Sequence, residues 1–137
     1  MAASDALRAR CFGCAGEVSP YAAFIVRSVK NARAVAPIIW PLEVNNALIS
    51  AVRRGRIDEL IAYRIRNTLD RLPVDTDSEI AIASLGLRIL GLGIDHGLSA
   101  YDASYLELAM RRGLPLATQD ERLMRAASAA GVAIMQP

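Results

Sequence analysis

Three acidic side chains fall near the starts of predicted helices. Asp120 comes directly after an apolar strand, and Asp102 lies three residues after Ser99 in the first turn of another helix. Glu43 lies in the first turn after an earlier strand, with Asn46 one turn farther along the same helix face. Carboxylates gathered at equivalent ends of sheet-linked elements would repel one another without a cation between them. Their oxygen atoms suit Mg²⁺ or Mn²⁺, which are therefore the expected cofactors.

Each of these acids also has an ordinary structural explanation. An acid in the first turn of a helix interacts favourably with the helix dipole, by about 0.3 to 1 kcal/mol. Thr118 and Glu121 form a T-x-x-E pattern, which predicts a capping box with Thr118 as the N-cap. Glu43 has apolar neighbours that are expected to be buried, and a buried carboxylate is costly unless it is paired or holds a metal. The metal hypothesis therefore requires the acids to lie close together.

Strands alternate with helices along the chain. This alternation predicts an α/β fold in which a mostly parallel central sheet is covered by helices on both faces, a three-layer α/β/α sandwich. Ligands of such sheets bind beyond the carboxyl ends of the strands, which is where Asp120 is expected. The predicted strands are 32–39, 73–74, 113–118 and 131–135, and the predicted helices are 41–55, 57–72, 80–90, one that begins at Ser99 and one that begins near Gln119.

Length and composition limit the class of protein. A chain of 137 residues fits one compact domain, and a hydrophobic share of 53% with 22% charged residues argues against disorder. Every apolar run is interrupted before it reaches the length of a membrane span, so we expect a cytoplasmic protein without a membrane partner. The net charge of +2 is too small to indicate nucleic-acid binding by the whole surface. Any basic surface must therefore be local.

Other chemistry-bearing residues form weaker patterns. Cys11 and Cys14 make a lone C-x-x-C, and the chain has one histidine, so a zinc site is poorly supported. His96 lies in a predicted turn, where a solvated loop residue is the ordinary expectation. The Gly-rich segment around it lacks the spacing of a nucleotide-binding loop. The acids are therefore the main candidates for chemistry.

The segments that carry the acids resemble the PIN-domain family and, within it, the VapC-type toxins of bacterial toxin–antitoxin pairs. The likeness runs from about Ala32 to Met135 and rests on three motifs in order, E-x-x-N-A-L, Y-D-A and L-A-T-x-D. The resemblance implies one PIN-like α/β/α domain over residues 1–137. It places Glu43, Asp102 and Asp120 at the family's catalytic and metal-binding positions, with Asn46 and Thr118 in supporting positions.

The N-terminal region, residues 1–12, departs from the family pattern. The family's first strand usually ends in a metal-binding aspartate, in the form V-V-D-x-S, whereas this chain begins MAASDALRARCF. In one register the aspartate position falls on Ala3, and Asp5 takes the serine position. A short deletion would instead make Asp5 the catalytic and metal-binding acid. A third alternative is a degenerate strand with an impaired site, and an exposed or helix-capping Asp5 is the ordinary explanation.

Arginine supplies nearly all of the positive charge, and its planar guanidinium binds phosphate bidentately. Arg122 and Arg125 lie nearest the acids and are the predicted RNA-binding residues. Clusters at two helix ends either bind phosphate or complement the helix dipole. These clusters are Arg53, Arg54 and Arg56 at the end of one helix, and Arg111 and Arg112 at the end of another.

Three aromatic residues are candidates for stacking on bases or for packing in the core. They are Trp40, Tyr101 and Tyr105, and for Tyr105 packing in the core or in a dimer is the expectation.

The resemblance implies a Mg²⁺- or Mn²⁺-dependent single-strand endoribonuclease, the toxin of a VapBC-type pair. Its implied partners are a VapB-type antitoxin, a second copy of the chain, and tRNA or another structured RNA with single-stranded loops. The alternative is a catalytically impaired PIN-like module that binds RNA or protein, which the atypical N-terminus motivates. A receiver-like signalling domain shares the architecture but does not explain Glu43, Asn46 and the strand-end Asp120.

Overall fold

The computed structural model describes residues 2–3, 20, 23–24, 27–28, 33–78 and 82–136. Asp5 and the two cysteines lie outside the described residues. Four strands form one sheet in which every pairing is parallel, which confirms the predicted α/β class. The strands are β1 (Ala2–Ala3), β2 (Ala34–Pro37), β3 (Val74–Asp77) and β4 (Leu116–Ala117).

The strand order β3-β2-β1-β4 places the short β1 inside the sheet. Ala2 is paired with Val35 on one side and with Leu116 on the other, and Ala3 is paired with Ala117. The segment 131–135, a predicted strand, contributes a single parallel bridge between Ile134 and Leu116. After β1 the chain adds β2 and β3 toward one edge of the sheet, and after β4 it adds the bridge at Ile134 toward the other edge, so the direction of the connections reverses between β1 and β4. The carboxyl ends of β1 and β4 flank this reversal, where open α/β sheets bind ligands.

Local sequence features set the helix boundaries. Asp58 caps the second helix by accepting a hydrogen bond from the Ile61 amide at 2.7 Å, and Ser99 caps the fourth by accepting one from the Asp102 amide at 3.1 Å. Gly113 ends the fourth helix in the left-handed conformation, with φ of 61°. The helices are α1 (Trp40–Arg53), α2 (Glu59–Leu69), α3 (Ile82–His96), α4 (Ala100–Arg112) and α5 (Glu121–Ala129).

Two differences from the sequence expectations concern single residues. His96 is the half-buried last residue of α3, not a residue of a turn, because the helix continues through the Gly-rich segment before it. Trp40 begins α1 one residue before Pro41, which occupies the first helical turn. In the described part of the chain, no helix combines the length and the apolar character that crossing a bilayer requires.

Two apolar clusters pack against opposite faces of the sheet. Successive strand residues alternate between them, as the pleat requires: Ala34 and Ala36 join one cluster, and Val35 packs against the other. The small alanine side chains leave room for α1 and α2 on the first face, and α4 and α5 cover the second. The first cluster also contains Trp40, Val44, Leu48, Leu69 and Ala117, and the second contains Tyr105, Leu106, Leu108, Ala109, Leu116, Leu123, Ala126 and Ala127.

Ion pairs fasten the end of α4 to β3. The Asp77 side chain is 7% exposed and accepts hydrogen bonds from the guanidinium groups of Arg111 and Arg112. Arg111 also contacts the buried Glu107 through Nε at 3.2 Å, and Arg88 reaches the same carboxylate at 3.2 Å. Arg111 and Arg112 therefore bind carboxylates of the protein itself, an arrangement that sequence analysis did not predict.

Opposing effects act on the pKa of Asp77. Burial raises it, whereas the hydrogen bonds and positive charges of Arg112 and Arg111 lower it by more, so the pKa lies below its ordinary value of 3.8. A lowered folded-state pKa means that the folded protein binds a proton less readily than the unfolded chain. The stabilisation is therefore fully present above about pH 4 and is lost as the pH falls through the folded pKa.

Replacing Asp77 with Asn should lower the free energy of unfolding by about 3 kcal/mol at pH 7, because two guanidinium groups lose a buried anionic partner. The difference between wild type and variant should shrink as the pH falls below about 4. Urea denaturation followed by Trp40 fluorescence at pH 7 and pH 3 measures both effects. Asp75→Asn is the matched control, because the exposed Asp75–Arg33 pair should contribute less than about 1 kcal/mol. Equal losses in the two variants would contradict the assignment.

Candidate functional site

The carboxyl edge of the sheet carries all three described candidate acids. Glu43 lies in the first turn of α1, which follows β2, and Asp102 lies in the first turn of α4. Asp120 precedes α5 directly after β4. Because these strands are parallel, their carboxyl ends share one edge, so the topology gathers residues that are far apart in the chain.

Glu43 is held by a buried tyrosine. The Tyr105 side chain is 0% exposed, and its hydroxyl donates a hydrogen bond of 2.6 Å to Glu43 Oε2. Tyr105 therefore packs in the core, as expected, and fixes the orientation of a candidate catalytic acid from there. The spacing of Asp102 and Tyr105, three residues apart on α4, places both on one helix face. This face is turned toward the start of α1, so Asp102 lies on the same side as Glu43.

Asp102 forms a reciprocal interaction with the N-cap of its own helix. The Ser99 hydroxyl accepts a hydrogen bond from the Asp102 amide and donates one of 2.6 Å to Asp102 Oδ2. Ser99 thus satisfies a free amide of the first turn and orients the carboxylate at the same time. The Ser99 cap agrees with the prediction from the sequence, whereas its contact with the carboxylate was not predicted.

Asp120 is the N-cap of α5, and the prediction of Thr118 as the cap is wrong. Asp120 Oδ1 accepts hydrogen bonds from the amides of Arg122 and Leu123 at 2.9 and 3.0 Å. Thr118 is buried, and its Oγ1 accepts a hydrogen bond from the Asp120 amide at 3.0 Å. This turn at Thr118 delays the helix start by two residues. The ordinary capping role of Asp120 is therefore real, and it fixes one carboxylate oxygen.

The strand order sets the spacing between the strand ends at this edge. Neighbouring strands lie about 4.8 Å apart, so the ends of β2 and β4 are separated by about 10 Å, with the end of β1 at Ala3 between them. Among the residues that the structure describes, no group of three or more acidic, histidine or cysteine side chains is close enough to hold a metal ion. The donor chemistry suits Mg²⁺, and a shared site that includes Asp5 stays a prediction.

A cleft of about 680 Å³ runs along α1 from Glu43. Glu43 and Asn46 both line it, in agreement with their spacing of one helical turn. Tyr101 is 57% exposed and lines the same cleft, whereas Trp40 and Tyr105 are buried and unable to stack on a base. The remaining lining residues are Ile39, Leu42, Ala47, Ser50, Ala51, Arg54 and Arg56.

The predicted RNA-binding arginines lie beside Asp120. Arg122 and Arg125 are exposed and line a cleft of about 330 Å³ together with Asp120, Gln119 and Glu121. Arg125 also lies 3.7 Å from the exposed carboxylate of Glu121, an ion pair that solvent and salt weaken. The structure thus places both arginines on the Asp120 side of the carboxyl edge.

Two known proteins are similar to this chain in sequence and fold. The chain is 35% identical over 83 residues to exonuclease VapC9 of Pyrobaculum aerophilum, and the match covers 60% of this chain and 58% of VapC9. The chain is similar to a VapC-type nuclease. The crystal structure of PAE2754 from the same organism superposes with a TM-score of 0.60 at 30% identity, covering 77% of this chain and 70% of that one. No protein-family model matches the sequence.

These relatives support a VapC-like protein of the PIN family with a PIN-like α/β fold. The matched segment spans less than two thirds of the length of VapC9. The similarity agrees with the resemblance to the PIN-domain family that the sequence motifs indicate.

The contact between Tyr105 and Glu43 should be measurable as a coupling free energy of about 1.5 kcal/mol, because the hydrogen bond joins a charged acceptor to a buried donor. Unfolding of wild type, Tyr105→Phe, Glu43→Gln and the double variant forms the thermodynamic cycle. The matched cycle with Tyr101→Phe in place of Tyr105→Phe should show no coupling, since the Tyr101 side chain is largely exposed. Additive effects of the Tyr105 and Glu43 changes would contradict the interaction.

Proposed function

We propose that this chain is a Mg²⁺- or Mn²⁺-dependent single-strand endoribonuclease and the toxin of a VapBC-type toxin–antitoxin pair. The observation that carries the proposal is the arrangement of Glu43, Asp102 and Asp120 along the carboxyl edge, around the reversal of strand order. The similarity to exonuclease VapC9 supports the coarser conclusion, a VapC-type nuclease.

The acids have defined roles in this proposal. Glu43, Asp102 and Asp120, with Asp5 as a fourth, would hold the metal ion. When bound, the ion supplies an activated water and neutralises charge on the phosphoryl oxygens. Tyr105 and Ser99 keep two of the carboxylates in fixed orientations, and this preorganisation lowers the cost of positioning the reacting groups.

Features of the exposed surface support the proposed substrate and partners. Arg122 and Arg125 are proposed to bind RNA phosphates beside Asp120, in a tRNA or another structured RNA with single-stranded loops. Exposed apolar side chains on α2 and α3 support coverage by partner chains, proposed to be a second copy and a VapB-type antitoxin. These side chains are Leu60, Tyr63, Leu87, Leu90 and Ile94.

A catalytically impaired RNA- or protein-binding module is the second candidate, and the register of β1 favours it. Ala3 ends this internal strand beside Ala117, between the ends of β2 and β4. An alanine there supplies no ligand at the centre of the edge. In this candidate the chain binds RNA but does not hydrolyse it.

The endonuclease proposal predicts weak cleavage of single-stranded RNA in Mg²⁺ or Mn²⁺ above an EDTA blank. Asp102→Asn should abolish cleavage with little loss of stability, and Asp5→Asn should reduce it, because positioning of the reacting water supplies much of the rate. Asp95→Asn is the matched control, since Asp95 is an exposed acid on α3.

A circular single-stranded RNA distinguishes internal cleavage from exonuclease activity, the activity in the name of VapC9. Linearisation of the circle supports the proposal, whereas degradation of linear RNA alone makes the chain an exonuclease. RNA binding without any cleavage supports the impaired module. If the Asp102→Asn variant cleaves RNA at the wild-type rate, Asp102 is not part of the catalytic site.

Ala3→Asp should increase cleavage and the rise in melting temperature caused by Mn²⁺, because it adds a carboxylate between the ends of β2 and β4. The shift in stability follows RT ln(1 + [L]/Kd), so it reports metal binding without reference to activity. The triple variant with Ala at Glu43, Asp102 and Asp120 should lose the shift. An unchanged shift in the triple variant would exclude these acids as the metal site. No gain from Ala3→Asp would exclude the alignment in which the aspartate position of the family falls on Ala3.

A further inference from the structure

The cleft along α1 has opposite charges at its two ends. Glu43 and Asn46 line the end near the carboxyl edge of the sheet, and Arg54 and Arg56 line the far end, just beyond the helix. The helix rises 1.5 Å per residue, so Glu43 and Arg54 lie about 16 Å apart along its axis. This length exceeds one nucleotide and fits a short stretch of an extended single strand.

The two arginines are fixed by their backbone and available to a ligand. Gly55 between them adopts φ of 65°, and the amides of Arg54 and Arg56 donate hydrogen bonds to Ser50 and Ala51 carbonyls at 3.1 and 3.0 Å. Both side chains are exposed, and among the described residues neither has a carboxylate within 4.0 Å. In contrast, Arg111 and Arg112 are both paired with Asp77, and Arg111 is also paired with Glu107.

Tyr101 offers a stacking surface within the cleft. Its side chain is 57% exposed, and the exposed Leu42 provides a neighbouring apolar wall. An aromatic face stacks on any base, whereas nearby guanidinium groups bind the backbone phosphates. An acidic peptide would satisfy the arginines but would leave Tyr101 without a specific role and would bring carboxylates toward Glu43.

We infer that this cleft is the path of single-stranded RNA, with phosphates bound by Arg54 and Arg56 and a base stacked on Tyr101. The inference rests on the proposed function, because it leads the strand toward the acids at Glu43. It places a second RNA contact in the cleft beside α1, separate from the proposed contact at Arg122 and Arg125.

Binding of a fluorescein-labelled single-stranded RNA of mixed sequence, measured by anisotropy in EDTA over a range of salt, tests this path without requiring cleavage. The measured quantity is the slope of the logarithm of the binding constant against the logarithm of the salt concentration. Replacing both Arg54 and Arg56 with Gln should make this slope less steep by roughly 1.4, about 0.7 for each lost phosphate contact. The matched control replaces Arg53 and Arg71, which are exposed but do not line this cleft, and should keep the wild-type slope.

Tyr101→Ala should weaken binding by about tenfold through loss of one stacked base, whereas Tyr101→Phe should retain the wild-type affinity. Melting temperatures of all variants verify that they are folded. A wild-type slope in Arg54→Gln/Arg56→Gln, an equal loss in the control pair, or no RNA binding by the wild type would overturn the inference.

The binding and cleavage results separate the two proposals. If the salt dependence of RNA binding flattens in the Arg54 and Arg56 variant but the wild type does not cleave RNA, the RNA path is supported and the nuclease proposal is rejected. Cleavage that persists with an unchanged slope supports the enzyme and rejects the path.

Discussion

The parallel pairing of β1 between β2 and β4 is the constraint on which the site depends. It brings the carboxyl ends of three strands together and reverses the direction of the chain connections at that edge. Without this order, Glu43 and Asp120 would belong to separate parts of the surface. The described β1 contains only Ala2 and Ala3, so its place is fixed by ladder hydrogen bonds to β2 on one side and to β4 on the other.

Side-chain size and charge then secure the layers around the sheet. Alanines on β2 and β4 let bulky residues of α1 approach one face, and Leu116 joins the cluster beneath α4 on the other. Asp77 binds the arginines at the end of α4, which holds this helix against the edge strand β3. The fixed position of α4 matters for the site, because it aligns Tyr105 with Glu43 and presents Asp102 at the same edge.

In the proposed function, the three acids have a structural role as well as a chemical one. Asp120 uses Oδ1 to cap α5, and Asp102 exchanges hydrogen bonds with Ser99 at the start of α4. Glu43 is oriented by a tyrosine from the core. Such contacts restrict side-chain rotation, and a preoriented carboxylate loses less entropy when it binds an ion or orients a water. Helix capping and the proposed metal binding are therefore compatible functions of the same residues.

The sequence by itself determined the alternation of strands and helices, the Ser99 cap and the grouping of Glu43 with Asn46, because these depend on spacing within one element. It also indicated the three acids, since each follows or precedes a recognisable local boundary. Only the tertiary structure decided that Asp120 rather than Thr118 caps α5, that Tyr105 binds Glu43, and that Arg111 and Arg112 bind Asp77. Tyr105 and Glu43 are 62 positions apart in the chain, and Asp77 is 34 positions from Arg111 and 35 from Arg112. Periodicity carries no information about such pairs, because strand order and helix packing bring them together only after the chain has folded.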